Sequence, residues 1–214
     1  MTHFKTLFGA AVLAFAATQS SAESRFGAGL STFGPTLEYQ TAISDNFTVR
    51  GSWSGGLSLS DSGTVNSVDY TATGKLGGLT LTGQYHLPAG MRIGGGLFSS
   101  TSSLSGTASV PNGAPFGGGT ATQDYSFSSV TTFQNALSPM VNTGFDIPFF
   151  GGTVLSTDLG VIWTGGFDVE YTDTTPGGSG PSPTEIDTEE AALENSLSRF
   201  EYVPYVSVML GKWF

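Results

Sequence analysis

Apolar residues recur at every second position through most of this chain. That is the period of a β-strand whose two faces meet different surroundings. In the final stretch Leu210, Val208 and Val206 share the parity of the terminal Phe214, while Met209, Ser207 and Tyr205 point the other way. One apolar and one polar face, repeated strand after strand, is the pattern of a sheet closed between lipid and an enclosed interior.

Further segments repeat the alternation. Leu37, Tyr39, Thr41 and Ile43 oppose Glu38 and Gln40, and Phe47, Val49, Gly51 and Trp53 oppose Thr48, Arg50, Ser52 and Ser54. Leu79, Leu81 and Tyr85 oppose Thr80, Thr82, Gln84 and His86; Met91, Ile93 and Leu97 oppose Arg92, Gly94 and Gly96. Leu137, Val141 and Phe145 alternate with Asn142, Gly144 and Asp146, and Leu155, Leu159, Val161 and Trp163 with Ser156, Asp158 and Gly160. A last strand begins near Tyr202. Tight connections at Ser44–Asn46, Pro88–Gly90 and Pro148–Gly152 alternate with long ones around Leu59–Ser67, Ala108–Thr122 and Asp173–Arg199. Transmembrane barrels place short turns on the periplasmic side and long loops outside, so the strand at 35–43 runs inward, as does the last. Seven strands would leave the first and last parallel, whereas such barrels have even, antiparallel counts. A short outward strand at Arg25–Ser31 supplies the eighth. The expected fold is all-β: a closed, antiparallel, transmembrane β-barrel of eight strands.

Residues 1–22 carry a short cationic start (His3, Lys5), an apolar stretch from Leu7 to Ala17 and the small residues Ser20, Ser21 and Ala22. This pattern predicts a signal peptide cleaved after Ala22, because the apolar stretch is well short of the ~20 residues of a spanning helix. Subtracting 22 from 214 leaves 192 residues, 23–214, for the barrel. With no cysteine, neither a disulfide framework nor a thiolate site is available. The net charge of −10 and the seven Lys and Arg argue against nucleic-acid binding.

The parity places four charges in the lumen: Glu38, Arg50, Arg92 and Asp158. Two acids and two bases there form either a salt-bridged packed interior or a selectivity site in a narrow wet passage. Gly94, Gly96, Gly144, Gly160, Thr80 and Ser156 would leave room for water on that face. His86 is the only histidine beyond residue 22, too little to define a hydrolase. No catalytic, cofactor-binding or metal-ligating set is identified, and the chain is read as not an enzyme. Aromatics near strand ends (Phe47, Tyr85, Phe149, Phe150, Trp163, Trp213) suit an interfacial girdle, and outward Lys212 can snorkel to water.

Twelve of the 17 acids fall in the outward half or the loops, where they either solvate the surface or gather cations. Within residues 187–200, Asp187 and Glu190 resemble a capping box, and Leu193, Leu197 and Phe200 fall at helical spacing. A short acidic amphipathic helix before the last strand is expected, packed on the barrel rim or acting as a lid.

Gly34 to Arg50, Asp158-Leu159-Gly160-Val161 followed by Gly165-Gly166, and Glu189-Glu190, Leu193, Leu197, Phe200, Pro204 and the terminal aromatic strand carry a resemblance. The chain resembles a family of small proteobacterial outer-membrane β-barrel proteins, some described as ornithine-uptake porins. It departs in having Lys212-Trp213 where the family has an aromatic and then a basic residue. The resemblance implies residence in the bacterial outer membrane, contact with its lipids, and recognition of the strand ending in Phe214 by the barrel-assembly machinery. It also implies a narrow passive channel for small solutes, cationic ones among them. The alternative is a structural or surface-interaction barrel with a plugged lumen.

Overall fold

The structure, a computed structural model, describes residues 23–65, 68–177 and 180–214, so the expected signal peptide at 1–22 lies outside the described residues. It is an all-antiparallel β structure. In chain order the strands are β1 (Ser24–Ser31), β2 (Gly34–Ser44), β3 (Phe47–Val65), β4 (Val68–His86), β5 (Met91–Ser100), β6 (Ser103–Val110), the short pair β7 (Pro115–Phe116) and β8 (Gly119–Thr120), β9 (Tyr125–Phe133), β10 (Ser138–Pro148), β11 (Thr153–Trp163) and β12 (Phe167–Asp173). Helix α1 (Pro183–Leu197) follows, and β13 (Tyr202–Trp213) ends the chain.

Eleven strands form one sheet in the order β12-β9-β6-β4-β3-β2-β1-β13-β11-β10-β5, and a β4–β5 pairing joins the far end back. Eight of them therefore make a ring: β1, β2, β3, β4, β5, β10, β11 and β13. The short first strand is where the even count required it. β1 pairs with β13 from Arg25↔Trp213 to Ser31↔Ser207 and with β2 from Ser24↔Thr41 to Ser31↔Gly34.

The alternation resolves as expected. Leu37, Trp53, Ile93, Val141, Leu159 and Leu210 point out and are exposed, while their polar neighbours are buried inside the ring. Outward parity is odd in β2, β3, β5, β10 and β11 and even in β1 and β13, where Phe26, Leu30, Val206 and Val208 are exposed. An apolar belt that wraps a ring of strands is far larger than the scattered apolar surface of an ordinary soluble monomer.

The long connections are more ordered than the sequence predicts. Residues 59–65 are not loop but the continuation of β3, paired without a break to β4 from Leu59↔Gly74 to Thr64↔Asp69. β-Branched Thr favours a strand and Ser follows once a partner is aligned, although their uniform polarity hides the period of two. β6, β9 and β12 extend this upper part of β4 into a five-stranded sheet, β3-β4-β6-β9-β12, beyond the ring. One face of it is covered by the β7–β8 hairpin and α1 around Val110, Phe116, Tyr125 and Phe127, with Ile186 of the helix packed against them. Phe116 and Phe127 stack with ring centroids 4.6 Å apart.

Helix α1 starts earlier than 187. Its N-cap is Ser182, whose hydroxyl accepts the Glu185 N–H while the Glu185 carboxylate accepts the Ser182 N–H, so the capping box is Ser182–Glu185 rather than Asp187–Glu190. Pro183 at the first helical position makes that start possible, since its missing N–H is one that a helix leaves unpaired anyway.

Candidate functional site

The candidate site is the inside of the ring. All four charges expected there are buried: Glu38 is 3% exposed, Arg50 2%, Arg92 0% and Asp158 1%. Two more join them, Arg25 from β1 and Asp146 from β10. The six form a closed cycle that alternates in sign. Arg25 Nη2 donates to Glu38 Oε1 at 2.7 Å, and Glu38 Oε2 lies 3.3 Å from Arg50 Nη1. Arg50 Nη1 donates to Asp158 Oδ2 at 2.8 Å, and Asp158 Oδ1 accepts from Arg92 Nη2 at 3.0 Å. Arg92 also pairs with Asp146, whose Oδ1 returns to Arg25 Nη1 at 3.3 Å. Three arginines against three carboxylates leave the cycle neutral, and each carboxylate is shared by two guanidinium groups. That neutrality is what makes burial of six ionised groups tolerable, since an unpaired ion out of water is costly.

β3 and β11 stand four places apart on a ring of eight, so the Arg50–Asp158 bond crosses its diameter. Around this bar the polar residues fill in. Asn142 Nδ2 and Ser207 Oγ donate to Asp158 at 2.9 Å each, and Gln84 Nε2 donates to Asn142 Oδ1 at 3.2 Å. Ser156 Oγ accepts from Arg25 at 2.7 Å and donates to Asp146 at 2.5 Å.

The inward glycines do not leave the space that the sequence reading assigned to water. A Cβ on Gly94 would stand 2.5 Å from Gln84 Nε2, and one on Gly144 would stand 2.6 Å from Asp158 Oδ1 and 3.0 Å from Arg92 Nε. A Cβ on Gly160 would meet Asn142 Cβ at 2.8 Å. The room made by each missing side chain is taken by a neighbouring side chain or by the backbone of the adjoining strand.

Above the charged cycle, at the end that carries the long connections, the interior turns apolar. Phe33, Phe98, Met140, Ile162 and Tyr205 pack together, none more than 4% exposed. Phe33 reaches this layer because the β1–β2 turn folds back over the ring. Its N–H donates to Ser31 Oγ, while Thr32 exchanges bonds with Val206 on β13, N–H to O and Oγ1 from N–H, both at 2.9 Å. Phe33 and Phe98 lie 4.4 Å apart, centroid to centroid.

The remaining residues singled out in the sequence are placed as follows. His86 Nε2 sits 3.0 Å from Thr48 Oγ1, which also accepts from Gln40 Nε2, so its neighbour is a threonine within a hydrogen-bonded chain and not a serine nucleophile. Phe47, Tyr85, Phe149, Phe150 and Trp163 are exposed at strand ends as a girdle requires, whereas Trp213 turns in and the Arg25 guanidinium lies over its ring, Cζ 5.4 Å from the ring centroid. Lys212 points outward. Three of the helix acids serve neither solvation nor cation gathering: Glu190 Oε1 accepts the Tyr171 N–H at 2.7 Å, Glu194 Oε1 the Val169 N–H at 3.1 Å, and Glu189 Oε2 the Gly117 N–H at 3.2 Å.

Fold and interior together define a small eight-stranded antiparallel ring, apolar outside and filled inside, with a sheet-and-helix cap at one end. Among solved structures, the crystal structure of CarO2 from Acinetobacter baumannii is similar, with a TM-score of 0.57 at 15% identity over 90% of this chain and 98% of that one. That of Acinetobacter baumannii CarO gives 0.56 at 13% identity over 90% and 97%. No family model matches the sequence, and no curated protein does. At such identity the likeness shows the fold alone.

Proposed function

We propose that this chain is an integral β-barrel of a bacterial outer membrane whose lumen is closed, and that it acts as a structural or surface-interaction barrel through its outer face. The observation that carries this reading is the Arg50–Asp158 bond across the diameter, locked into a neutral six-membered cycle beneath a layer of five apolar side chains. Eight-stranded barrels are just wide enough for side chains to fill them. The exposed apolar belt and the CarO-like fold support membrane insertion, and the inward-running β13 with the exposed Phe214 that follows it supports recognition by the barrel-assembly machinery. The signal peptide at 1–22 belongs to the same reading, as does the absence of enzymatic activity.

A narrow passage for small solutes, cationic ones included, is the second reading. Arg25 Nε, Arg92 Nε, Gln40 Oε1 and Gln84 Oε1, buried on the inner face, have no partner among the described residues, and such atoms favour water. Conductance across a planar bilayer tests the two. The closed barrel predicts silence from the parent protein. Steady single-channel steps from the parent, shifting in ion preference with Glu38→Gln, overturn it in favour of the passage.

A further inference from the structure

The five-stranded sheet beyond the ring has a second face that none of the described residues covers. Register places Ser62 beside Thr71, Thr71 beside Thr107, Thr107 beside Ser128 and Ser128 beside Thr172, a straight row of hydroxyls across five strands. The next row outward runs Thr64, Asp69, Ser109 and Ser126. The next row toward the ring runs Ser60, Thr73 and Ser105 and ends on Val130 and Glu170, so hydroxyls hold its β3, β4 and β6 positions and an acid its far edge. These rows repeat at the sheet's own spacing, about 4.8 Å between strands and about 7 Å along them. A groove of about 330 Å³ runs among Asp69, Thr71, Thr107, Ser109, Ser126 and Ser128.

The position of this face identifies what lies against it. β4 is a single strand of 19 residues, roughly 60 Å long at about 3.3 Å per residue, against an apolar band of about 25 Å. Leu79, Leu81 and Tyr85 face out of the ring on β4. Lys75, Thr73, Thr71 and Asp69 continue the same face of the same strand above them. The hydroxyl rows therefore stand directly above the lipid belt, in the zone where headgroups project. Hydroxyls both donate and accept, as sugar hydroxyls do, and the rows hold no large apolar patch for acyl chains. Lys75, exposed beside Ser58 and Ser103, stands in a row nearer the ring than the hydroxyl rows and supplies a cation next to the apolar belt.

We infer that the uncovered hydroxyl face of the outer sheet docks the saccharide headgroups of the glycolipid leaflet around the ring, with Lys75 meeting their phosphates. This rests on the membrane reading above. Its test uses the full mature chain folded in detergent and titrated with rough-type lipopolysaccharide or with phosphatidylglycerol. The parent binds lipopolysaccharide in preference. The triple variant Thr71→Val, Thr107→Val, Ser128→Ala, which removes exposed hydroxyls while keeping shape, binds it about tenfold more weakly, the scale of one to two net hydrogen bonds. Lys75→Ala, which touches no hydroxyl, weakens binding to intact but not to dephosphorylated lipopolysaccharide. Equal binding of the two lipids by the parent, or parent-like binding by both variants, overturns the inference. Urea washing of proteoliposomes separates the two failures: a chain stripped from the vesicles sinks the membrane reading itself, whereas one that stays inserted without preferring lipopolysaccharide sinks this surface alone.

Discussion

Arg50 and Asp158 are 108 residues apart in the chain and meet at 2.8 Å across the middle of the ring. Each is also tied to a second ion of opposite sign, Arg50 to Glu38 and Asp158 to Arg92. Removing one member leaves its partners buried with unbalanced charge, which costs about 3–5 kcal/mol where burial is this complete. Asp158→Ala is therefore expected to lower the urea midpoint of the folded protein in detergent far more than any surface acid does. The double variant Arg50→Ala, Asp158→Ala is expected to be less destabilised than the sum of the singles by about 1 kcal/mol or more. Strict additivity of the two would mean that the bond does not exist in solution.

The apolar layer is a second closure in series with the first. Phe33→Ala empties a ring-sized space against Phe98, Met140 and Tyr205 and is expected to cost about 3–5 kcal/mol by the usual cavity penalty. It leaves the charged cycle untouched, so planar-bilayer recordings remain silent. Phe33→Ala combined with Asp158→Asn removes parts of both closures, and flickering conductance is expected from that pair alone. Open steps from Phe33→Ala by itself would show that the charged cycle does not block the path.

Strand parity made the ring legible. Glu38, Arg50, Arg92 and Asp158 could be assigned to its interior because the apolar residues of each strand hold the opposite parity. Arg25 and Asp146 escaped for different reasons. Arg25 opens a strand of eight residues in which Gly27 and Gly29 share its face, so only Phe26 and Leu30 on the other side mark the inside. Asp146 sits at the end of β10 next to a turn, where a carboxylate reads as exposed. The apolar layer was invisible for a physical reason: inward Phe98, Met140 and Ile162 break the polar-in rule, and Phe33 enters from a turn. β6 and the upper half of β3 were hidden by their chemistry, since a run of Ser, Thr and Gly has no apolar period to read. β9 and β12 do alternate, through Tyr125 and Phe127 and through Phe167, Val169 and Tyr171, but lie outside the ring of eight that the even count completed.

Among the described residues β12 is an edge strand, with β9 on one side and no strand on the other. Unpaired edge N–H groups invite pairing with another chain. Here Glu190 and Glu194, one helical turn apart on α1, accept the N–H groups of Tyr171 and Val169, two residues apart on the strand. The i,i+4 rise of the helix, about 6 Å, nearly matches the two-residue rise of the strand, about 7 Å, which is why two carboxylates suffice. Glu190→Ala with Glu194→Ala is expected to free α1, giving faster proteinase K cleavage between residues 174 and 201 and a tendency to dimerise. Glu190→Gln with Glu194→Gln keeps an acceptor oxygen at each position and is expected to behave like the parent. Equal protection in all three proteins would assign α1's docking to Ile186 and its apolar neighbours instead.

The start of α1 is sensitive to acid. The Ser182 backbone N–H and hydroxyl both donate to the Glu185 carboxylate, and these bonds hold its pKa below the ordinary glutamate value. A carboxyl whose pKa is depressed by folding contributes stability that is complete above its unfolded pKa, about 4.3, and that is lost as pH falls through the lower folded value. The helix cap is therefore intact at neutral pH and weakens only in acid, below about pH 4. Hydrogen exchange of the first-turn amides of α1, followed from pH 7 down through pH 3, is expected to show a loss of protection below pH 4 once the intrinsic slowing of exchange is divided out. In Glu185→Gln the amide cannot ionise, and that pH step is expected to vanish while the helix still forms. A step of unchanged size in the variant would show that the Glu185 carboxylate does not carry the acid sensitivity of the helix start.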